Sequence, residues 1–113
     1  MENQMQLNTE RIELLGKFGQ AASEFMSAEA KVIEIAYKEG ALSSKVKRLI
    51  ALAAALKVGC TNCIFAQTEK ALDEGATREE ILETLQVLIG IGGTTGIAES
   101  LRVIKLLDEM GHL

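Results

Sequence analysis

Residues 44–75 read SKVKRLIALAAALKVGCTNCIFAQTEKALDEG, and the fold class turns on this stretch. From Val46 to Val58 the side chains are apolar almost all round, interrupted by Lys47, Arg48 and Lys57. That pattern predicts a helix buried on most sides, at the centre of the domain. Gly59 breaks the helix, and a second helical pattern starts near Thr61 and runs to Glu74, where Gly75 closes it. The chain's two cysteines, Cys60 and Cys63, therefore fall where a helix begins.

The flanking sequence extends the helical pattern. Leu15, Phe18, Ala22 and Phe25 recur at steps of three and four, which predicts a first helix over Thr9–Met26. Ser27 is a candidate cap for a helix over Ala28–Glu39 with Val32, Ile35 and Ala36 facing the core, and Gly40 ends it. Ser43 and Ser44 mark the start of the central helix. Thr77 with Glu80 forms a capping box ahead of the amphipathic face Ile81, Leu82, Leu85, Leu88 and Ile89. Gly90, Gly92, Gly93 and Gly96 separate this helix from a last one over Ile97–Met110, carrying Leu101, Ile104 and Leu107, with Thr94 or Thr95 as its cap. Six helices result.

Composition agrees with an all-α fold. The 113 residues fit one domain, are 48% hydrophobic and 25% charged, contain no proline and are poor in aromatic residues. A net charge of −4 without a basic cluster predicts no nucleic-acid binding. The longest apolar stretch, Leu49–Leu56, is far short of the roughly 20 residues that span a bilayer, so no membrane role is expected. The polar start Met1–Glu10 lacks the pattern of a signal peptide, and a cytoplasmic location is the expectation. Small residues such as Ala51, Ala53, Ala54 and Ala55 bury little area each, and the apolar content exceeds what one small core hides. Association into a homo-oligomer follows as an expectation.

In a reducing compartment two closely spaced cysteines point to catalysis or metal binding rather than to a structural staple. In Cys60-Thr61-Asn62-Cys63 the spacing places both sulfurs on one side of a helical turn, within reach of a disulfide. A free thiol has a pKa of about 8.5, and a helix N-terminus lowers it to as little as about 3.5. Cys63 is thus a candidate for a reactive thiolate. The bland alternative is a pair of buried thiols acting as small hydrophobes. Zinc needs three or four ligands, whereas this chain offers two thiols and one histidine, His112, in its C-terminal tail. Two CxxC pairs meeting across an oligomer axis could hold zinc or an iron-sulfur cluster; otherwise no cofactor is expected. Glu79, Glu80 and Glu83 suit a helix start and a solvated face, and Gly90–Gly93 lacks the strand and the Lys-Ser/Thr of a phosphate loop. Phe65 and Tyr37 are candidate pocket neighbours of the thiols, although an aromatic in a helical core has the commoner fate.

The run from Leu42 to Gly93, with its Lys-rich start of an Ala/Leu helix, GCxxC turn, Gly-Ala-Thr ending and glycine-rich break, resembles the carboxymuconolactone decarboxylase superfamily in its alkylhydroperoxidase (AhpD-like) branch. The resemblance implies an all-helical trimer or hexamer that reduces peroxide or a disulfide, regenerated by an external thiol reductant. It also implies that Cys63 attacks the substrate and Cys60 resolves the intermediate. Two positions depart from the family pattern. Gln67 stands where the alkylhydroperoxidases carry a histidine four residues after the second cysteine, and Arg48 where they carry a glutamate twelve residues before the first. General acid-base help contributes about 10² to 10⁴ in rate, so the exchange bears directly on peroxidase efficiency. Arg48 near the thiols would favour the thiolate by charge, with a solvated or ion-paired arginine as the alternative. Gln67, one turn beyond Cys63, could hydrogen-bond a sulfur or a substrate but cannot shuttle protons. Two other readings stand beside redox chemistry: a lactone-processing enzyme of aromatic catabolism, and a non-catalytic oligomeric or ligand-binding module.

Overall fold

A computed structural model describes residues 1–113 and consists of six α-helices without strands. They are α1 (Gln4–Ala21), α2 (Ser23–Tyr37), α3 (Ser44–Val58), α4 (Thr61–Asp73), α5 (Arg78–Gly92) and α6 (Thr94–Glu109). The central helix is α3, which packs against α4, α5 and α6. Leu52 and Leu56 of α3 meet Ile64 of α4, Ile81, Leu85 and Leu88 of α5, and Val103 and Leu107 of α6 in one core. Most of these side chains are completely buried, and each such burial contributes about 1.5–3 kcal/mol of hydrophobic stabilisation.

The junction between α3 and α4 is set by Gly59. Its φ of +80° is a left-handed conformation that costs glycine nothing, and it lets the amides of Gly59 and Cys60 both donate to the carbonyl of Ala55. The chain reverses in two residues, so α3 and α4 pack face to face. A second close contact joins α5 to α6 at Gly96, where an added Cβ would lie 3.3 Å from the Cα of Ile89.

Several helix boundaries differ from the sequence expectation. Helix α1 begins at Gln4 instead of Thr9 because Asn3 caps it, accepting from the amide of Gln6 at 2.8 Å. The Glu109 carboxylate also accepts from the amides of Gln4 and Met5, clasping the N-terminus of α1 to the end of α6. Helices α1 and α2 meet at Ala22 rather than Ser27, with no glycine or proline to mark the break; Ser27 lies inside α2. Gly90 and Gly92 do not interrupt α5, which continues until Gly93 leaves the helical conformation. Helix α6 then starts at Thr94, and neither Thr94 nor Thr95 caps it.

The larger correction concerns burial. The expected inward face of α2, Val32 and Ile35 above all, is exposed, as are Leu15 and Phe18 of α1 and Phe25 of α2. Within one chain α2 packs on α1 and the start of α3 and meets α4 only at its last residue, Tyr37, so its outer face is uncovered. Helix α3 is likewise bare along one side, at Ile50, Ala54 and Val58, and Leu101 of α6 is exposed. The radius of gyration, 14.4 Å, exceeds the about 13 Å expected of a compact chain of this length, in keeping with an α2 that stands largely clear of the core.

The predicted capping box at the start of α5 is present in both directions between Thr77 and Glu80. Glu80 also reaches across to Lys45 of α3 at 2.9 Å. The Thr77 amide, and then the Lys45 ammonium, hold its carboxyl below the ordinary glutamate value of 4.5. A lowered folded pKa stabilises above the unfolded value, and that stabilisation is lost as pH falls through the folded one. In urea titrations, Glu80→Gln is therefore expected to be less stable than the wild type at pH 7, with the difference closing as pH falls below 4.5. A difference that persists unchanged at low pH would contradict this assignment.

Candidate active site

Cys60 is the N-cap of α4. Its sulfur accepts from the amide of Cys63 at 3.2 Å, taking the place of the hydroxyl or carboxylate common at helix starts. Cys60 and Cys63 are joined by a disulfide across this first turn, with their Cα atoms 5.2 Å apart. Cys60 is half-buried and Cys63 is exposed. The alternative of two buried thiols does not fit the exposure of Cys63. The Cys60 sulfur thus sits at the positive end of the α4 dipole.

The pair lies at the edge of an apolar depression of about 340 Å³. Its floor is the small-residue side of α3, Ala51, Ala54, Ala55 and Val58, and its far wall is Tyr37 and Gln67. Alanine at three of these positions keeps the floor low enough for a molecule to rest against the sulfurs.

Tyr37 reaches this wall because the α2–α3 connection is stapled. The Ser44 hydroxyl donates to the Tyr37 carbonyl at 2.7 Å, the Ser44 amide donates to the Glu39 carboxylate, and Lys47 Nζ donates to the Lys38 carbonyl at 2.7 Å. Ser43 caps α3 by accepting from the amide of Val46. These bonds fix the end of α2 against the first turn of α3 although the rest of α2 stands clear.

Arg48, Gln67 and Tyr37 form one network behind the depression. Arg48 Nη1 donates to Gln67 Oε1 at 3.2 Å, Gln67 Nε2 donates to Tyr37 Oη at 3.4 Å, and the Arg48 guanidinium stacks 3.6 Å from the centre of the Tyr37 ring. A cation over an aromatic face contributes on the order of 0.5–2 kcal/mol, rising with desolvation. Arg48 makes no ion pair with a carboxylate, and its Nε is buried without a hydrogen-bond partner. The four residues expected from the sequence, Cys60, Cys63, Gln67 and Arg48, thus fall in one region. Their contacts refine the expectation: the polar bonds of Gln67 and Arg48 go to each other and to Tyr37, and neither hydrogen-bonds a sulfur.

The two aromatic candidates separate. Tyr37 belongs to the site, while Phe65 is completely buried among α1 and α4, beside a groove lined by Leu7, Arg11 and Leu14. Residue spacing along α4 ties Gln67 to Cys63, whereas Tyr37, a candidate from its residue type alone, reaches the site through the tertiary staple at Ser44. No cluster of three or more His, Cys, Asp or Glu occurs in the chain, so a metal would require ligands from another copy. His112 lies in the exposed tail, where its amide donates to the Leu107 carbonyl.

An all-helical fold with a CxxC disulfide at the N-terminus of the helix after the central one, opening on a shallow apolar depression, defines the class. The chain belongs to the carboxymuconolactone decarboxylase family, whose profile matches residues 23–106. An uncharacterised protein of Cupriavidus necator is 37% identical over 95 residues, 84% of each chain. An uncharacterised protein of the Paracoccus denitrificans cox locus is 30% identical over 96 residues, 85% of this chain and 86% of the other. Among solved structures, a carboxymuconolactone decarboxylase family protein from Legionella pneumophila superposes with a TM-score of 0.88 at 29% identity, covering 96% of this chain and 97% of its own. A Thermotoga maritima family member, whose description raises an antioxidative response as one possible involvement, gives a TM-score of 0.66 at 29% identity over 81% of this chain and 91% of that one.

Proposed function

We propose that this protein is a thiol–disulfide oxidoreductase that cycles Cys60 and Cys63, reducing a peroxide or a disulfide. The observation that carries the reading is the Cys60–Cys63 disulfide on the first turn of α4, with Cys63 exposed beside the depression. The Cys63 thiolate attacks the oxidant, Cys60 displaces the product from the Cys63 sulfur, and an external thiol reductant restores the dithiol. Exposure of Cys63 and the half-burial of Cys60 support this division of labour, because the attacking sulfur must meet the substrate and the resolving sulfur only its neighbour. The antioxidative response raised as one possible involvement of the Thermotoga relative points the same way. A cytoplasmic setting, where reductants keep thiols available, suits such a cycle.

The working form in this proposal is a homo-oligomer, a trimer or hexamer. Phe25, Val32 and Ile35 of α2 are more than half exposed, and Leu14 and Phe18 of α1 add to the uncovered apolar surface. Contiguous apolar surface beyond a few hundred Å² marks association sites in soluble proteins. A second reading, a non-catalytic module on the same fold, is favoured by one observation: the Gln67 amide in the wall of the depression and the Arg48 guanidinium bonded to it from behind are unable to shuttle a proton at neutral pH.

Single-turnover oxidation of the reduced protein by hydrogen peroxide and by an alkyl disulfide separates the two. The redox reading expects formation of the Cys60–Cys63 disulfide in the wild type and at least about 10²-fold slower oxidant consumption in Cys63→Ser, with a trapped mixed disulfide on Cys63 in Cys60→Ser. Equal consumption by wild type and Cys63→Ser would leave the module. Sedimentation velocity on the same wild-type sample is expected to give a trimer or hexamer; a compact monomer at micromolar concentration would overturn the oligomer.

A further inference from the structure

We propose that Tyr37 is the proton donor of this site, delivering its phenolic hydrogen to the group that leaves when Cys63 attacks. The inference rests on the reading of Cys60 and Cys63 as a working redox pair and assigns the acid that the pair needs.

Three observations carry it. Tyr37 shares the 340 Å³ depression with both sulfurs, and apart from the cysteines it is the only lining side chain with a hydrogen it can give up as a proton; the others are alanines, a valine and the Gln67 amide. Its oxygen is held by the amide of Gln67 at 3.4 Å, with Gln67 as donor, so the Tyr37 O–H is not committed to that bond. No other protein group accepts from it, and it is free to point into the depression. The Arg48 guanidinium stacks 3.6 Å from the ring centre and holds the ring at the wall of the depression. Arg48 and Gln67 are then positioning residues, and their mutual bond gives each a purpose that hydrogen bonding to sulfur does not.

For an alkyl disulfide the reaction balances as follows. The Cys63 thiolate forms a bond to one substrate sulfur while the substrate S–S bond breaks. The departing sulfur keeps the electron pair and takes the Tyr37 proton, giving a free thiol and a phenolate. The phenolate regains a proton from the Cys60 thiol, and the Cys60 thiolate attacks the Cys63 sulfur, expelling the second alkyl thiolate and closing the Cys60–Cys63 disulfide. The two cysteine sulfurs lose two electrons and the substrate disulfide gains them. A peroxide follows the same course, with the alkoxide leaving Cys63 as a sulfenic acid and receiving the Tyr37 proton.

A proton donor matters in proportion to the basicity of what leaves, and this gives a test that a structural role would not pass. Reduced wild type and Tyr37→Phe are each oxidised in single turnover by bis(hydroxyethyl) disulfide, whose alkyl thiolate is strongly basic, and by dipyridyl disulfide, whose thiolate departs without a proton. Tyr37→Phe keeps the ring under Arg48 and removes only the hydroxyl. The expected result is a loss of about 10²-fold with the alkyl disulfide and less than about twofold with the dipyridyl compound. Equal loss with both probes, or loss with neither, overturns the assignment of Tyr37. A wild type that reacts with neither probe overturns the redox reading itself, and the two failures are thereby distinguished.

Discussion

The close packing of α3 on α4, imposed by the reversal at Gly59, is the constraint on which the site depends. A left-handed residue there, with two amides returning to the Ala55 carbonyl, leaves no slack between the helices. Leu52 and Leu56 meet Ile64 in the core, and the same rotation of α3 turns Ala51, Ala54 and Ala55 toward the start of α4. Cys60, as the first residue after the reversal, is obliged to be the N-cap, and Cys63 follows one turn later beside an alanine floor. Any residue with a Cβ at position 59 would resist the reversal and move both sulfurs relative to that floor.

A second constraint works from the other side. Arg48 lies one turn of α3 before Ala51, and its charge is neutralised by no carboxylate, so it is spent on the Gln67 amide and the Tyr37 ring. This network joins three helices at one point, α2 through Tyr37, α3 through Arg48 and α4 through Gln67. It also explains why the end of α2 is ordered against α3 while its middle stands free. The uncovered faces of α1 and α2 and the bare edge of α3 at Ile50 and Val58 are the counterpart of a core built from only one side of each helix. Membership of the carboxymuconolactone decarboxylase family accounts for the scaffold.

Much of this was legible in the residues. The α3 and α4 ends, the Thr77–Glu80 capping box and the count of six helices follow from local signals, namely Ser43, Gly59, Gly75 and the periodicity of Ile81, Leu85 and Leu88. What was missed has mostly tertiary causes. Asn3 is a local cap passed over at the start of α1, with Glu109 adding to it from a hundred residues away, and the bend at Ala22 carries no glycine or proline to announce it. Gly90 and Gly92 remain helical because the rest of α5 is anchored by Leu85 and Leu88, so glycine's cost of about 1 kcal/mol is absorbed. Apolar periodicity on α2 signals a buried face without saying whether the same chain buries it. Tyr37 joined the site only through the Ser44 staple, a contact that spacing along one helix does not encode.

The central claim is that the start of α4 makes Cys63 a reactive thiolate beside a resolving Cys60. The most direct measurement is the ultraviolet thiolate absorbance of the reduced protein as a function of pH, with Cys60→Ser to isolate Cys63. The account predicts that Cys63 ionises well below the about 8.5 of an ordinary thiol. A Cys63 that titrates at or above that value would contradict it.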